Sequence, residues 1–116
     1  MTQCDNSDFY VPATIYRQDL TLAISTGGGS PAFARYVREL LERFLSEALG
    51  QTLEMVAQAR PLILAEAKGR QAQLWESLLD LHLETVIETQ GYPVARQIFE
   101  KWLGQNIGQG DHNQPM

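Results

Sequence analysis

The chain has 116 residues, 44% of them hydrophobic and 20% charged, an ordinary globular composition for about one domain. Its formal net charge is −5 and its Lys and Arg residues are scattered among acidic neighbours, which argues against a nucleic-acid partner because a phosphate backbone would be repelled. A lone cysteine, Cys4, excludes an intrachain disulfide, no Cys/His spacing fits zinc, and the apolar runs are too short for a membrane span.

No secretory signal opens the chain, so a cytoplasmic protein is expected. Residues 1–8, MTQCDNSD, are polar and aperiodic. FYVPATIY follows, rich in β-branched and aromatic residues. Pro12 removes a ladder donor there, so the segment reads as an edge or bent strand. Arg17-Gln18-Asp19 reads as a turn. LTLAIS then alternates, with Leu20, Leu22 and Ile24 on one face, as a half-buried strand does.

After Gly29 the apolar period lengthens to that of a helix. Phe33, Val37, Leu40, Leu41, Phe44, Leu45 and Leu49 form one stripe. Arg35–Glu39, Arg38–Glu42 and Glu39–Arg43 are spaced for ion pairing on the helix surface. Ser30 suits the N-cap, Pro31 the first helical position and Gly50 the stop. The rest also reads helical. Gln51–Lys68 carries Leu53, Val56, Ala57, Leu64 and Ala67, with Pro61 expected to kink or split it. Gln71–Leu81 presents Leu74, Trp75, Leu78 and Leu79, and Leu83–Thr89 continues after a bend. Gly91-Tyr92-Pro93 breaks the pattern. Val94–Leu103 presents Ile98, Phe99, Trp102 and Leu103, and the polar residues after 104 read as a disordered tail.

Gly27-Gly28-Gly29-Ser30-Pro31-Ala32 matches the G-x-G-x-x-G/A form of a dinucleotide-binding turn. The fingerprint requires a second parallel strand ending in an acidic residue about twenty positions later. That distance falls on Glu47, inside a helical pattern, so the context fails. Two readings remain. The glycines serve only a turn that needs positive φ, or the N–H groups of Gly28, Gly29 and Ser30 at the positive end of a helix hold a carboxylate or phosphate. His82 has no metal-ligating companion and reads as a surface or interface residue, and His112 lies in the tail. Trp75 and Trp102 read as packing residues, and Asp5 and Asp8 as solvated charges.

Two strands are too few for an independent sheet. LTLAIS feeding a helix therefore reads as the closing step of a larger sheet, and the long apolar stripes as surface covered by another subunit.

The stretch FYVPATIYRQDLTLAISTGGGSPAFARYVRELLE resembles the precorrin-2 dehydrogenases, the NAD-dependent module of siroheme synthases, which some members extend to iron chelation. The resemblance rests on Phe9, Pro12 and Ala13, on Arg17 and the strand Leu20 to Ser25, and on Thr26, Gly27, Gly28, Ser30, Pro31, Ala34 and Arg35. It implies a mainly α chain with a small β part: the last strands of a Rossmann-type sheet and their loop over 1–29, then a helical dimerisation and substrate-cleft region over 30–104. It further implies that the nucleotide fingerprint lies upstream in a longer parent, so that NAD serves the parent and no cofactor is expected for this chain alone. Thr26, Gly27, Gly28, Gly29, Ser30 and Pro31 would face the carboxylates of precorrin-2 or sirohydrochlorin, in a homodimer with no metal, membrane or nucleic-acid partner. The family's catalytic aspartate aligns with Thr2, and Asp5 replaces it only with a register shift, so the catalytic residue stays unassigned. The family's usual Ser before Gly-Gly is here Thr26. A non-enzymatic dimerisation or tetrapyrrole-binding module is the alternative.

Overall fold

The computed structural model describes residues 13–107. Two strands, β1 (Ala13–Arg17) and β2 (Leu20–Ile24), precede five helices, α1 (Pro31–Glu42), α2 (Glu47–Leu64), α3 (Lys68–Leu79), α4 (Leu83–Gln90) and α5 (Tyr92–Asn106). No described helix is long and apolar enough to cross a membrane.

The strands pair antiparallel through a turn at Gln18 and Asp19, in the register Ala13↔Ile24, Ile15↔Leu22 and Arg17↔Leu20. Directly opposed residues share a face. Ile15 is therefore buried beside half-buried Leu22, while Tyr16 and Thr21 face outward. This is the alternation expected of LTLAIS. The sheet is a hairpin, and no parallel β–α–β step lies among the described residues. Residues 9–12 of the expected first strand fall outside them.

The described residues divide into two compact units at Gly50/Gln51, so the helical region expected from residue 30 onward is shared between them. In the first unit α1 packs on both strands. The expected single helix from Phe33 to Leu49 is not formed. Instead α1 ends at Glu42, residues 43–46 turn, and α2 starts at Glu47. The cause is at both ends of the turn. Arg17 reaches from β1 to donate through Nε to the Leu45 carbonyl and through an Nη to the Glu42 carbonyl at 3.4 Å, where carbonyls at a helix end lack partners. Ser46 then accepts the Ala48 N–H on its hydroxyl at 3.2 Å, with acidic Glu47 in the first turn of the next helix.

Gly50 is correspondingly not a helix stop but a buried residue inside α2. A Cβ at this position would collide with the Arg17 carbonyl, so glycine is required by close approach to the hairpin. The expected stripe on α1 also splits. Ala34 is the buried residue, Val37, Leu40 and Leu41 are half-buried, and Phe33 and Phe44 are exposed.

In the second unit one cluster forms the core: Met55, Ala59 and Ile63 of α2, Leu74 and Leu78 of α3, Leu83 of α4, and Ala95, Phe99 and Trp102 of α5. These recur at i, i+3 or i+4 on each long helix, so each presents one stripe. The largest fully buried side chains (Phe99, Met55, Ile63, Leu78 and Leu83) each contribute roughly 1.5–3 kcal/mol on removal from water. On α2 the buried line is Met55–Ala59–Ile63 rather than the expected Leu53, Val56, Ala57, Leu64 and Ala67; Val56 packs at its margin, and Leu64 is exposed. Pro61 does not split α2. It sits in the last turn, three residues before the end at Leu64, where a missing N–H costs one bond and the helix stops anyway.

The last two helices follow the sequence closely. Gly91, at φ +97°, makes the expected break, and Pro93 enters the first turn of α5. Trp102 is buried and its indole N–H donates to the Ser77 hydroxyl at 2.9 Å, as the packing role requires. Helix α5 continues to Asn106, beyond the expected end at Leu103 and into the stretch expected to be disordered. The remainder of that stretch, 108–116, lies outside the described residues.

Candidate functional site

The loop joining β2 to α1 is built from its glycines. Gly27 and Gly28 both have positive φ, +66° and +84°, and the Gly29 N–H donates to the Thr26 carbonyl at 3.1 Å. Two successive positive φ values inside an i to i+3 bond define a turn of the I′ type, which glycine adopts without steric cost. The Ser25 hydroxyl supports the first half by accepting the Gly27 N–H at 3.1 Å.

Thr26 ties this turn to the helix. Its Oγ1 accepts the Ser30 N–H at 2.9 Å and donates to the Ser30 carbonyl at 3.3 Å. Ser30 is the N-cap, with extended backbone and a hydroxyl accepting the Phe33 N–H at 3.0 Å; Pro31 follows at the first helical position. The Ser30 carbonyl accepts the Ala34 N–H at 3.1 Å. All six expected residues, Thr26 to Pro31, thus form one continuous corner.

The arrangement narrows the donor set inferred from sequence. The N–H groups of Gly27, Gly29 and Ser30 are consumed within the corner, whereas those of Gly28 and Ala32 carry no hydrogen bond among the described residues. Ala32 as a donor was not foreseen. Its signal is positional: beyond a capping Ser-Pro, the second helical residue keeps a free N–H. Gly27, Gly28, Gly29, Pro31 and Ala32 are exposed. No acidic residue occupies the first turn of α1, so nothing in that turn neutralises the positive end of the helix. The corner is chemically suited to an anion such as a carboxylate.

It does not suit a pyridine dinucleotide. The pyrophosphate turn of that fold needs a parallel strand after the helix and several free N–H groups at its start. Among the described residues β2 pairs only with antiparallel β1, α1 is followed by α2, and three of the loop's N–H groups, those of Gly27, Gly29 and Ser30, are internally bound.

The other sequence candidates lie elsewhere. His82 is exposed in a left-handed conformation before α4, with Nδ1 3.6 Å from the Glu84 carboxylate. Trp75 packs against the core of the second unit. No group of three or more His, Cys, Asp or Glu side chains among the described residues could hold a metal. Thr2, Cys4, Asp5, Asp8 and His112 lie outside those residues.

Comparison with known proteins bears on this same corner. Residues 17–43 match the family model described as Sirohaem biosynthesis protein central. The siroheme synthase of Xylella fastidiosa is 33% identical over 101 residues, which is 85% of this chain and 21% of that protein. The siroheme synthase of Hydrogenovibrio crunogenus is 34% identical over 118 aligned positions, covering 94% of this chain and 25% of that protein. Among solved structures, SirC, precorrin-2 dehydrogenase, superposes with a TM-score of 0.58 at 27% identity, covering 82% of this chain and 46% of that one. This chain thus spans only about a quarter or less of these curated relatives and under half of the structural neighbour. It is related to siroheme synthase and precorrin-2 dehydrogenase in sequence and in fold.

Proposed function

We propose, from this relationship, that the chain supplies the tetrapyrrole-facing corner and the dimer-forming helices of a precorrin-2 dehydrogenase in siroheme biosynthesis. The reaction removes a hydride and a proton from precorrin-2 to give sirohydrochlorin, with NAD as hydride acceptor. None of the described residues is assigned a role toward NAD, and the dehydrogenation belongs to the whole enzyme. The part played by this chain is binding and orientation. Thr26 to Pro31 contact a carboxylate of the tetrapyrrole, with the Gly28 and Ala32 N–H groups donating to it, and Thr26 and Ser30 hold those donors in place. The helices bring two copies together as a homodimer.

The observation that carries the reading is the corner itself: a glycine turn, capped by Ser30, with N–H groups that carry no hydrogen bond among the described residues at a positive helix end, and lying inside the matched segment. A second reading, a tetrapyrrole-holding module without catalysis, is favoured by the helical unit's own compact core. Titration separates the possibilities. Sirohydrochlorin should bind the chain with a saturable change in visible absorbance, and NAD should not bind. Absence of sirohydrochlorin binding would remove the corner's proposed role, and stoichiometric NAD binding would contradict the assignment of the nucleotide site elsewhere. Turnover of precorrin-2 with NAD by the isolated chain would exclude the non-catalytic reading.

A further inference from the structure

The break between α1 and α2 has no helix-breaking residue behind it. No proline or glycine lies between Pro31 and Gly50, and Glu42, Arg43, Leu45, Glu47 and Ala48 are all strong helix formers. The chain winds on past Glu42. Arg43 donates its N–H to the Leu40 carbonyl at 3.3 Å, and Phe44 and Leu45 both donate to the Leu41 carbonyl at 2.9 Å. Only residues 45 and 46 lie outside helix or turn before α2 starts at Glu47.

The two carbonyls that Arg17 holds are the ones an unbroken helix would use. Such a helix pairs each N–H with the carbonyl four residues back, which puts the Ser46 N–H on Glu42 and the Leu49 N–H on Leu45. In the broken form the Arg17 guanidinium takes both acceptors, Leu45 through Nε and Glu42 through an Nη at 3.4 Å. The Leu49 N–H turns instead to the Ser46 carbonyl at 3.1 Å, and the Ser46 hydroxyl accepts the Ala48 N–H. Two bonding patterns thus compete for the same carbonyls, one supplied by a charged side chain of β1 and the other by the helix itself. The bond to Glu42 is long and solvent-exposed, hence weak. The close approach of Gly50 to the Arg17 carbonyl adds to the broken form.

We propose that Arg17 is a latch on a hinge at residues 45 and 46, which has two states: the broken form held by the guanidinium, and a continuous helix from α1 into α2 that forms when the guanidinium lets go. In the second state Glu42 and Leu45 accept from Ser46 and Leu49. The first turn of α2 then follows the axis of α1, and Gly50 leaves the hairpin. Exchanging one set of bonds for another makes two discrete arrangements rather than a gradual bend. The inference uses no ligand and is independent of the tetrapyrrole reading.

Relaxation dispersion and saturation-transfer spectra of the isotopically labelled intact chain test it, with circular dichroism confirming that each variant folds. In the wild type, residues 45 and 46 should exchange, on the microsecond-to-millisecond scale of collective motions, with a minor state whose Cα chemical shifts are helical. Arg17→Met keeps the stem of the side chain and removes its donors. It should raise the helical population at these residues about tenfold or more, as loss of a charged donor does. Ser46→Pro has no N–H to give to Glu42 and should abolish the exchange. A wild type without exchange at residues 45 and 46, or with a minor state that is not helical there, overturns the hinge whether or not the variants fold. Exchange that persists in Ser46→Pro, or a folded Arg17→Met whose helical population is unchanged, overturns it as well.

Discussion

Gly27 and Gly50 are both required by the fold, for unrelated reasons. Gly27 sits at φ +66° with open space where a Cβ would go, so Gly27→Ala meets only the conformational penalty. It should destabilise the chain by about 1 kcal/mol, measured by urea unfolding. Gly50 has ordinary helical backbone, but a side chain there meets the Arg17 carbonyl. Gly50→Ala should cost about 3 kcal/mol and loosen the hairpin, because backbone cannot swing aside as a side chain can. Gly69 is the control: it lies in α3 with nothing near, and Gly69→Ala should stabilise by about 0.5–1 kcal/mol. Equal effects at Gly50 and Gly69 would refute the close-approach explanation. Sequence could show Gly27, since a glycine run before a capped helix is a local signal. It could not show Gly50, whose need arises from a residue 33 positions earlier in the chain.

At the scale of elements, the corner between β2 and α1 should behave as one unit. Ser30→Ala removes the cap and should cost about 1 kcal/mol. Thr26→Val removes both contacts to Ser30 while keeping the shape, and should cost a similar amount; Thr26→Ser should recover most of it. Guanidinium unfolding curves check both, and additive losses in the double variant would show that the two caps are independent. Start signals such as Ser30-Pro31 are local and were readable. The break after α1 was not, because an apolar stripe continues through it and only Arg17, reaching from β1, supplies partners for the carbonyls at Glu42 and Leu45. Likewise the stripe on α2 has several apolar candidates at helical spacing, and only the packed partners select Met55, Ala59 and Ile63. Periodicity finds a helix more readily than it finds which side faces inward.

For the molecule as a whole, the two units differ in self-sufficiency. The helical unit holds a contiguous core around Phe99, and Phe99→Ala should cost about 3–5 kcal/mol with loss of its cooperative transition, followed by near-ultraviolet circular dichroism at Trp75 and Trp102. The hairpin and α1 bury little by themselves, and the matched family segment and the anion-suited corner both fall within that unit. The most direct measurement is amide chemical-shift mapping of the isotopically labelled chain during titration with sirohydrochlorin. The account predicts saturable shifts centred on the Gly28 and Ala32 amides, with smaller shifts at Gly29 and Ser30, whose N–H groups are already bound. Saturable binding whose shifts spare residues 25–33 and fall on the helical unit would contradict it.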